Sequence, residues 1–409
     1  MGRPMDRLRV LFVNTPTLPP MGADTWVQLQ VLEHLDRATY DVHIALVTGP
    51  RDRPTPTLSR VRTISDVHVV PTNFGPEFRT GTVADKIVTL AKTLPAPLRL
   101  LRLAAYIRRH RIQVIYTSDR PRDAYACTLL SRMTGVPTVV HLHVAYGEWM
   151  NRMLTTGMRR ADALIAISEF TKRSFITAGY AADDIHVVHN GIDLDRWVPS
   201  ADDGAIRREF AIPSDTPMIV SVCRLFAPKG PAKLIRAVAD VRVQRPELRL
   251  VIVGEELYAG YRAELDALVA EVGLGDCVTF AGRRSDVPAI MGTADLYAMP
   301  SFEEPFGLVF VEAMAMRLPV VALDSGGAPE IVEHDITGLL SAPGDHDALV
   351  HNIRMLVDQP QLRAAMGARG REVALSRFSS TRMAAEVGAV LALIASGTKR
   401  RPRAHKEQS

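Results

Sequence analysis

Two carboxylates and two cations stand out by position as well as by type. Glu304 lies in Ser301-Phe302-Glu303-Glu304-Pro305-Phe306-Gly307, and Glu312 follows inside the apolar run Leu308-Val309-Phe310-Val311-Glu312-Ala313-Met314. An ionised carboxylate in such a run is costly to bury without a partner. It either looks out from the wet face of a helix or grips hydroxyl groups of a ligand. Arg224 and Lys229 sit in Arg224-Leu225-Phe226-Ala227-Pro228-Lys229-Gly230, directly after the apolar run 218–223. Arg can fork two phosphate oxygens and Lys adds a point charge. Without a ligand the same pair reads as a solvated loop.

The elements that must position these groups are legible around them. A short apolar run ending at Pro300-Ser301 reads as a buried strand, and Gly307 opens a segment of helical length. A second buried strand, 318–322, leads to Gly326-Gly327 and another helix start. In a parallel sheet both intervening loops lie at the carboxyl ends of the strands, where such sheets bind ligands. Two helix N-termini there supply unpaired amides and positive dipole ends, which suit a pyrophosphate.

The stretch from Glu304-Pro305-Phe306-Gly307 through Glu312-Ala313 to Gly326-Gly327-Ala328-Pro329-Glu330 resembles the donor-site signature of retaining glycosyltransferases of the two-Rossmann-domain (GT-B) type, most closely glycosyltransferase family 4. The resemblance covers most of the second half of the chain strongly and the first half loosely. It implies an α/β fold of two doubly wound Rossmann-like domains facing a central cleft, with a C-terminal helix crossing back to the first domain. It implies that Glu304 contacts the donor sugar's hydroxyls, that Glu312 grips the nucleotide ribose, and that Arg224 and Lys229 hold the pyrophosphate. Phe306, Gly307, Leu308, Gly254 and Arg283 complete the implied donor site. His143, at the end of the strand-like Pro137-Thr138-Val139-Val140-His141-Leu142-His143, resembles the family's active-site His; His141 reads as structural. Gly22-Ala23 resembles the small-residue turn of the first loop, though one Gly stands where two are usual. The implied catalytic set is thus His143, Glu304, Arg224 and Lys229.

The reaction implied is retaining transfer of a sugar from a nucleotide-diphosphate sugar to a glycan, lipid-linked or small-molecule acceptor. A non-catalytic nucleotide-sugar-binding paralogue, or an epimerase or phosphorylase on the same fold, is the alternative. No cofactor or metal is expected. Asp193-Leu194-Asp195 follows an Asn190-Gly191 turn, the family's non-metal segment, and Asp345-His346-Asp347 stands at a helix start where Asp is favoured anyway. The first turn lacks G-x-G-x-x-G, which disfavours NAD or FAD.

Composition supports an ordinary globular protein of 409 residues, 47% hydrophobic and 23% charged. Three widely spaced cysteines form no C-x-x-C pair. No apolar run reaches the ~18–20 residues of a spanning helix. The expected location is cytoplasmic, with peripheral contact at the inner face of the membrane as the alternative. Residues 1–200 carry 25 Lys and Arg against 18 Asp and Glu, and residues 201–398 carry 19 against 26. A basic first half suggests an anionic partner. Aromatics are only 6% and no nucleic-acid motif is present, so nucleic acid is not expected. Within 84–111, Lys86, Lys92, Arg99, Arg102, Arg108, Arg109 and Arg111 interleave with leucines. This reads either as a core-packed helix with a solvated basic face or as an interfacial helix on anionic lipid.

The expected organisation is an acceptor-side domain over 1–198, a linker at 199–203, a nucleotide-sugar domain over 204–378, a returning helix at 379–398 and a basic tail at 399–409.

Overall fold

The structure, a computed structural model, describes residues 7–15, 22–50, 52–75, 94–199 and 204–397. Runs of Val, Ile, Leu and Ala make strands that are mostly buried on both faces, as parallel sheets covered by helices require; Val67–Pro71 and Val278–Gly282, at sheet edges, are less covered. In the first unit these are β1 (Leu8–Asn14), β2 (Tyr40–Leu46), β3 (Val67–Pro71), β4 (Val114–Ser118), β5 (Thr138–Leu142), β6 (Ala163–Ala166) and β7 (Ile185–Val187). They form one parallel sheet in the order β3-β2-β1-β4-β5-β6-β7. The second unit holds β8 (Met218–Val222), β9 (Arg249–Val253), β10 (Val278–Gly282), β11 (Leu296–Met299), β12 (Val320–Leu323) and β13 (Gly338–Ser341). Their order is β10-β9-β8-β11-β12-β13, again all parallel. Both sheets therefore have Rossmann order, with a switch point between β1 and β4 in one and between β8 and β11 in the other.

Some helices start where a side chain supplies a cap. Asn151 accepts from the Leu154 amide at 3.0 Å, so a helix begins at Arg152 (Arg152–Arg159). Asp345 accepts from the Ala348 amide at 2.9 Å, which makes the second Asp-x-Asp a helix cap. Pro95 and Pro97 stand at the start of the helix Ala96–Arg109, because proline suits the first turn. Residues 84–93, with Lys86 and Lys92, lie outside the described residues.

The chain divides into residues 1–167, 171–188 and 381–409 as one unit, and residues 168–170 and 189–380 as the other. The boundary thus falls ahead of the expected 198. Ile192 donates its amide to Phe378 and accepts from Ser380, both at 2.9 Å, so this segment is tied to the chain near 378. Residues after 380 join the first unit, where Gly388 lies close against the Tyr40 ring. The expected linker and tail fall largely outside the described residues. Among the described residues no helix is long and apolar enough to cross a membrane.

Candidate functional site

Three loops of the second unit meet at the β8/β11 switch point. The loop after β8 carries Arg224 and Lys229, the loop after β11 carries Ser301 to Phe306, and the loop after β12 carries Ser325 to Gly327. Backbone groups stitch them together. The Phe302 amide donates to Pro228 O at 2.8 Å, the Glu303 amide to Ser325 Oγ at 3.0 Å, and the Gly327 amide to Glu304 O at 2.7 Å. Gly326 has φ +67°, and a Cβ on it would stand 2.4 Å from Glu304 O. Only glycine lets that turn approach so closely.

Within this frame Lys229 Nζ lies 2.5 Å from Glu304 Oε2, and Ser301 Oγ donates to the same oxygen at 2.9 Å. Glu304 is 8% exposed, so a buried carboxylate is held by two donors on one oxygen while Oε1 has no such partner. Phe306 is buried against the rings of His189 and Phe378. Gly307 precedes the helix Leu308–Ala315, in which Glu312 is the fifth residue. Among the described residues no group hydrogen-bonds the Glu312 carboxylate, while its carbonyl accepts from the Met316 amide. Burial pushes its carboxyl up to about 7, and Arg196 opposes the shift. Burial also pushes the Tyr297 phenol far up, and Cys223, Glu304 and Glu312 raise it further, so both carboxylates act on one neighbourhood.

Arg224 and Arg283 stand at the carboxyl ends of β8 and β10, exposed and without partners among the described residues. Gly254 ends β9, where a Cβ would lie 1.8 Å from Cys223 O; close approach to the neighbouring strand explains the glycine. Asp193 accepts from the Asp195 amide at 3.1 Å and shapes its own turn.

His143 and Gly22 belong to the first unit. The His143 amide donates to Asp119 Oδ2 at 2.8 Å, and its ring lies 4.5 Å from that of His141. His143 Nε2 is buried without a partner. Burial and then Arg120 bring the imidazole down to about 3, so it is neutral at physiological pH. His141 is fully buried and hydrogen-bonded to the Tyr116 hydroxyl at 2.6 Å, which fits the structural role expected for it. Gly22 caps the helix Ala23–His34 beside a two-point Asp24–Arg120 pair at 2.5 and 3.0 Å.

The sequence assigned no role to Ser301, Ser325 or Glu330, although Glu330 closes the stretch that carries the family resemblance. Glu330 accepts from the Glu169 and Phe170 amides at 2.7 and 2.8 Å and lies 3.0 Å from His189 Nε2. It serves the start of the helix Glu169–Thr177, while Ser168, just ahead of that helix, donates to Pro305 O at 2.6 Å. A hydroxyl three residues before Glu304 was the available signal for Ser301. The cluster Asp41, His43 and His68 was also missed, because its members come from two strands.

Comparison with solved structures agrees with this architecture. HepE from Anabaena, in complex with UDP and glucose, aligns with TM-score 0.76 and 25% identity over 94% of this chain and all of the other. A glycosyltransferase from Rickettsia africae aligns with TM-score 0.79 over 96% of this chain and 100% of its own, at 19% identity. The fold and site define a glycosyltransferase of the two-Rossmann-domain, GT-B kind. Residues 26–196 match the family model described as Glycosyltransferase Family 4, and residues 202–373 that of Glycosyl transferases group 1. The GDP-mannose-dependent alpha-(1-6)-phosphatidylinositol monomannoside mannosyltransferase of Mycolicibacterium smegmatis is 31% identical over 70% of this chain and 78% of its own. Its monoacylated-substrate counterpart from Corynebacterium glutamicum is 32% identical over 68% and 76%. The chain belongs to glycosyltransferase family 4. It is an enzyme that transfers a sugar from a nucleotide-sugar.

Proposed function

We propose that the chain transfers mannose from GDP-mannose, with retention at the anomeric carbon, to a lipid-linked acceptor of the phosphoinositide class. The observation that carries the donor site is the Lys229–Glu304–Ser301 cluster at the switch point, with one oxygen of Glu304 committed to its neighbours and the other available for sugar hydroxyls. The choice of donor and acceptor rests on the activities of the relatives at 31% and 32% identity.

In this reading the bond from the anomeric carbon to the β-phosphate oxygen breaks, and the acceptor oxygen bonds to that carbon on the same face. The acceptor's proton passes to the leaving phosphate. Negative charge therefore grows on the phosphate, where Arg224, Lys229 and the helix N-termini stabilise it as oxyanion donors do. Glu304 orients the sugar, Glu312 holds the ribose, and neutral His143 contacts the sugar near the reacting carbon. Gly22, Gly254, Arg283, Phe306, Gly307 and Leu308 line the donor.

Metal takes no part in this transfer, so activity survives EDTA. The enzyme works at the cytoplasmic face of a membrane, in contact with anionic lipid. Supporting this, the helix Ala96–Arg109 exposes Leu98 (51%) and Leu101 (57%) beside Arg102 and Arg109. Leu103 of the same helix is 2% exposed and packs in the core.

The test is turnover of a panel of nucleotide-sugars with phosphoinositide and soluble acceptors, with the anomeric product assigned by NMR. GDP-mannose is expected to give an α-linked product on the lipid. Consumption of another donor alone, or an inverted product, overturns the corresponding part of the proposal.

A further inference from the structure

At the opposite half of the first sheet from its ligand edge, three side chains converge that play no part in sugar transfer. β2 and β3 are parallel neighbours with His43 opposite His68 in register. Asp41 precedes His43 by two residues, so strand periodicity puts both on one face. One Asp41 oxygen lies 3.6 Å from His43 Nε2 and the other 3.4 Å from His68 Nε2. The three ligand atoms all fall within 4.8 Å of one another. Around a tetrahedral zinc ion, with Zn–N of about 2.0–2.1 Å and Zn–O of about 2.0–2.2 Å, neighbouring ligand atoms are about 3.3–3.5 Å apart. The two carboxylate–imidazole separations already match that spacing, and they are too long for hydrogen bonds.

A second observation is independent of the cluster itself. His43 is 2% exposed, and its Nε2 is buried with no hydrogen-bond partner. Its other nitrogen, Nδ1, lies 2.8 Å from the Tyr106 hydroxyl on the helix Ala96–Arg109. An imidazole that donates Nδ1–H to an outer partner presents a lone pair on Nε2, which is the arrangement typical of metal-bound histidine. The ring is further held by stacking on His68, at 4.6 Å between centroids, and by an edge contact with Tyr106 at 5.7 Å. Buried nitrogens are nearly always partnered, and an ion is the partner this one is aimed to receive. Asp41 is partly exposed and His68 exposed, so the site is open to entry from solvent.

We infer that Asp41, His43 and His68 form a binding site for a divalent transition metal of the zinc class, with Tyr106 as the outer partner of His43. Two imidazoles and one carboxylate suit Zn²⁺ and its near neighbours and do not suit Ca²⁺ or Mg²⁺. The site clips the edge strand β3 to β2. Its role is to hold that edge, and it lies on the amino half of β2, away from the carboxyl ends that carry His143 and Asp119.

The experiment uses the full chain, free of any affinity tag and stripped with chelator. Titration with ZnCl₂ by calorimetry and with Co²⁺ by absorption spectroscopy should show one ion per chain, with the intense visible bands of a four-coordinate Co²⁺ site. His68→Ala, on an exposed side chain, and Asp41→Asn remove ligands without opening the core. Each should weaken Zn²⁺ binding by at least the about 10–100-fold that loss of an outer partner alone produces, and Tyr106→Phe should fall at the lower end of that range. Zinc should raise the melting temperature of the wild type and not of His68→Ala. No saturable uptake of one ion, or wild-type affinity in both ligand variants, overturns the inference and leaves the three groups as a proton-linked ion-pair cluster.

Discussion

Lys229 Nζ and Glu304 Oε2 stand 2.5 Å apart, joining the loop after β8 to the loop after β11 across the sheet's switch point. A cation proposed to meet phosphate and a carboxylate proposed to meet sugar are thus held together before any donor arrives. Both stay available to it, since Lys has three donors and Glu304 keeps Oε1.

Lys229→Ala therefore has two effects. Transfer is lost, and the fold also weakens, because Glu304 is left buried with only Ser301 on its oxygen. A hydrogen bond to a charged group is worth about 1.5–3 kcal/mol, and Lys229→Ala should reduce unfolding stability by about that much. Adding Glu304→Gln should recover part of it. Equal stability of Lys229→Ala and wild type in urea titration would contradict the buried pairing.

Glu312 carries a pH signature. Its carboxyl is raised from 4.5 to about 7 in the folded chain by burial, with Arg196 opposing. A raised folded value means a contribution to stability present below 4.5 and lost as pH rises through about 7. If the carboxylate form holds the ribose, affinity for the free nucleoside diphosphate should climb with pH across that same range. Glu312→Gln should flatten both slopes and weaken nucleotide binding, whereas Glu304→Gln should leave nucleotide binding largely intact. Calorimetry at several pH values reads this directly, and a wild-type affinity that falls with pH would reverse the assignment.

Gly326→Ala is expected to disable the site through the backbone. The residue sits at φ +67°, and its new Cβ would press on Glu304 O. A non-glycine residue held in that region costs on the order of 1–3 kcal/mol, and the displaced Glu304 should lower transfer more than stability. Unchanged kinetics in this variant would mean the loop after β12 does not set the position of Glu304.

The exposed face of the helix Ala96–Arg109 should govern membrane contact. Vesicles containing anionic lipid should sediment the wild type at low salt and release it at high salt. Each basic residue near such a surface is worth about 1 kcal/mol. Leu98→Ser with Leu101→Ser, or Arg102→Ala with Arg109→Ala, should weaken binding, while the nucleotide affinity stays as in the wild type. Protein that remains in the supernatant with anionic vesicles at low salt would favour a soluble acceptor.

Much of this molecule was legible in its residues. Continuous apolar runs such as 320–323 and 296–299 specified buried parallel strands, because such strands are covered on both faces. The polar residues interrupting the pattern, Lys229 and Glu304 above all, could only be loops at strand ends. What the local pattern lacks is the lateral order and register of strands joined by long crossovers. Tertiary structure alone decided that Lys229 touches Glu304, that Ser301 shares its oxygen, and that Glu330 reaches the amides of Glu169 and Phe170. It decided that Leu103 turns inward while Leu98 and Leu101 turn outward, since helical periodicity defines faces but not which one meets the sheet. It also brought His68 opposite His43, a pairing set by the neighbouring of β2 and β3 and carried by no spacing along the chain.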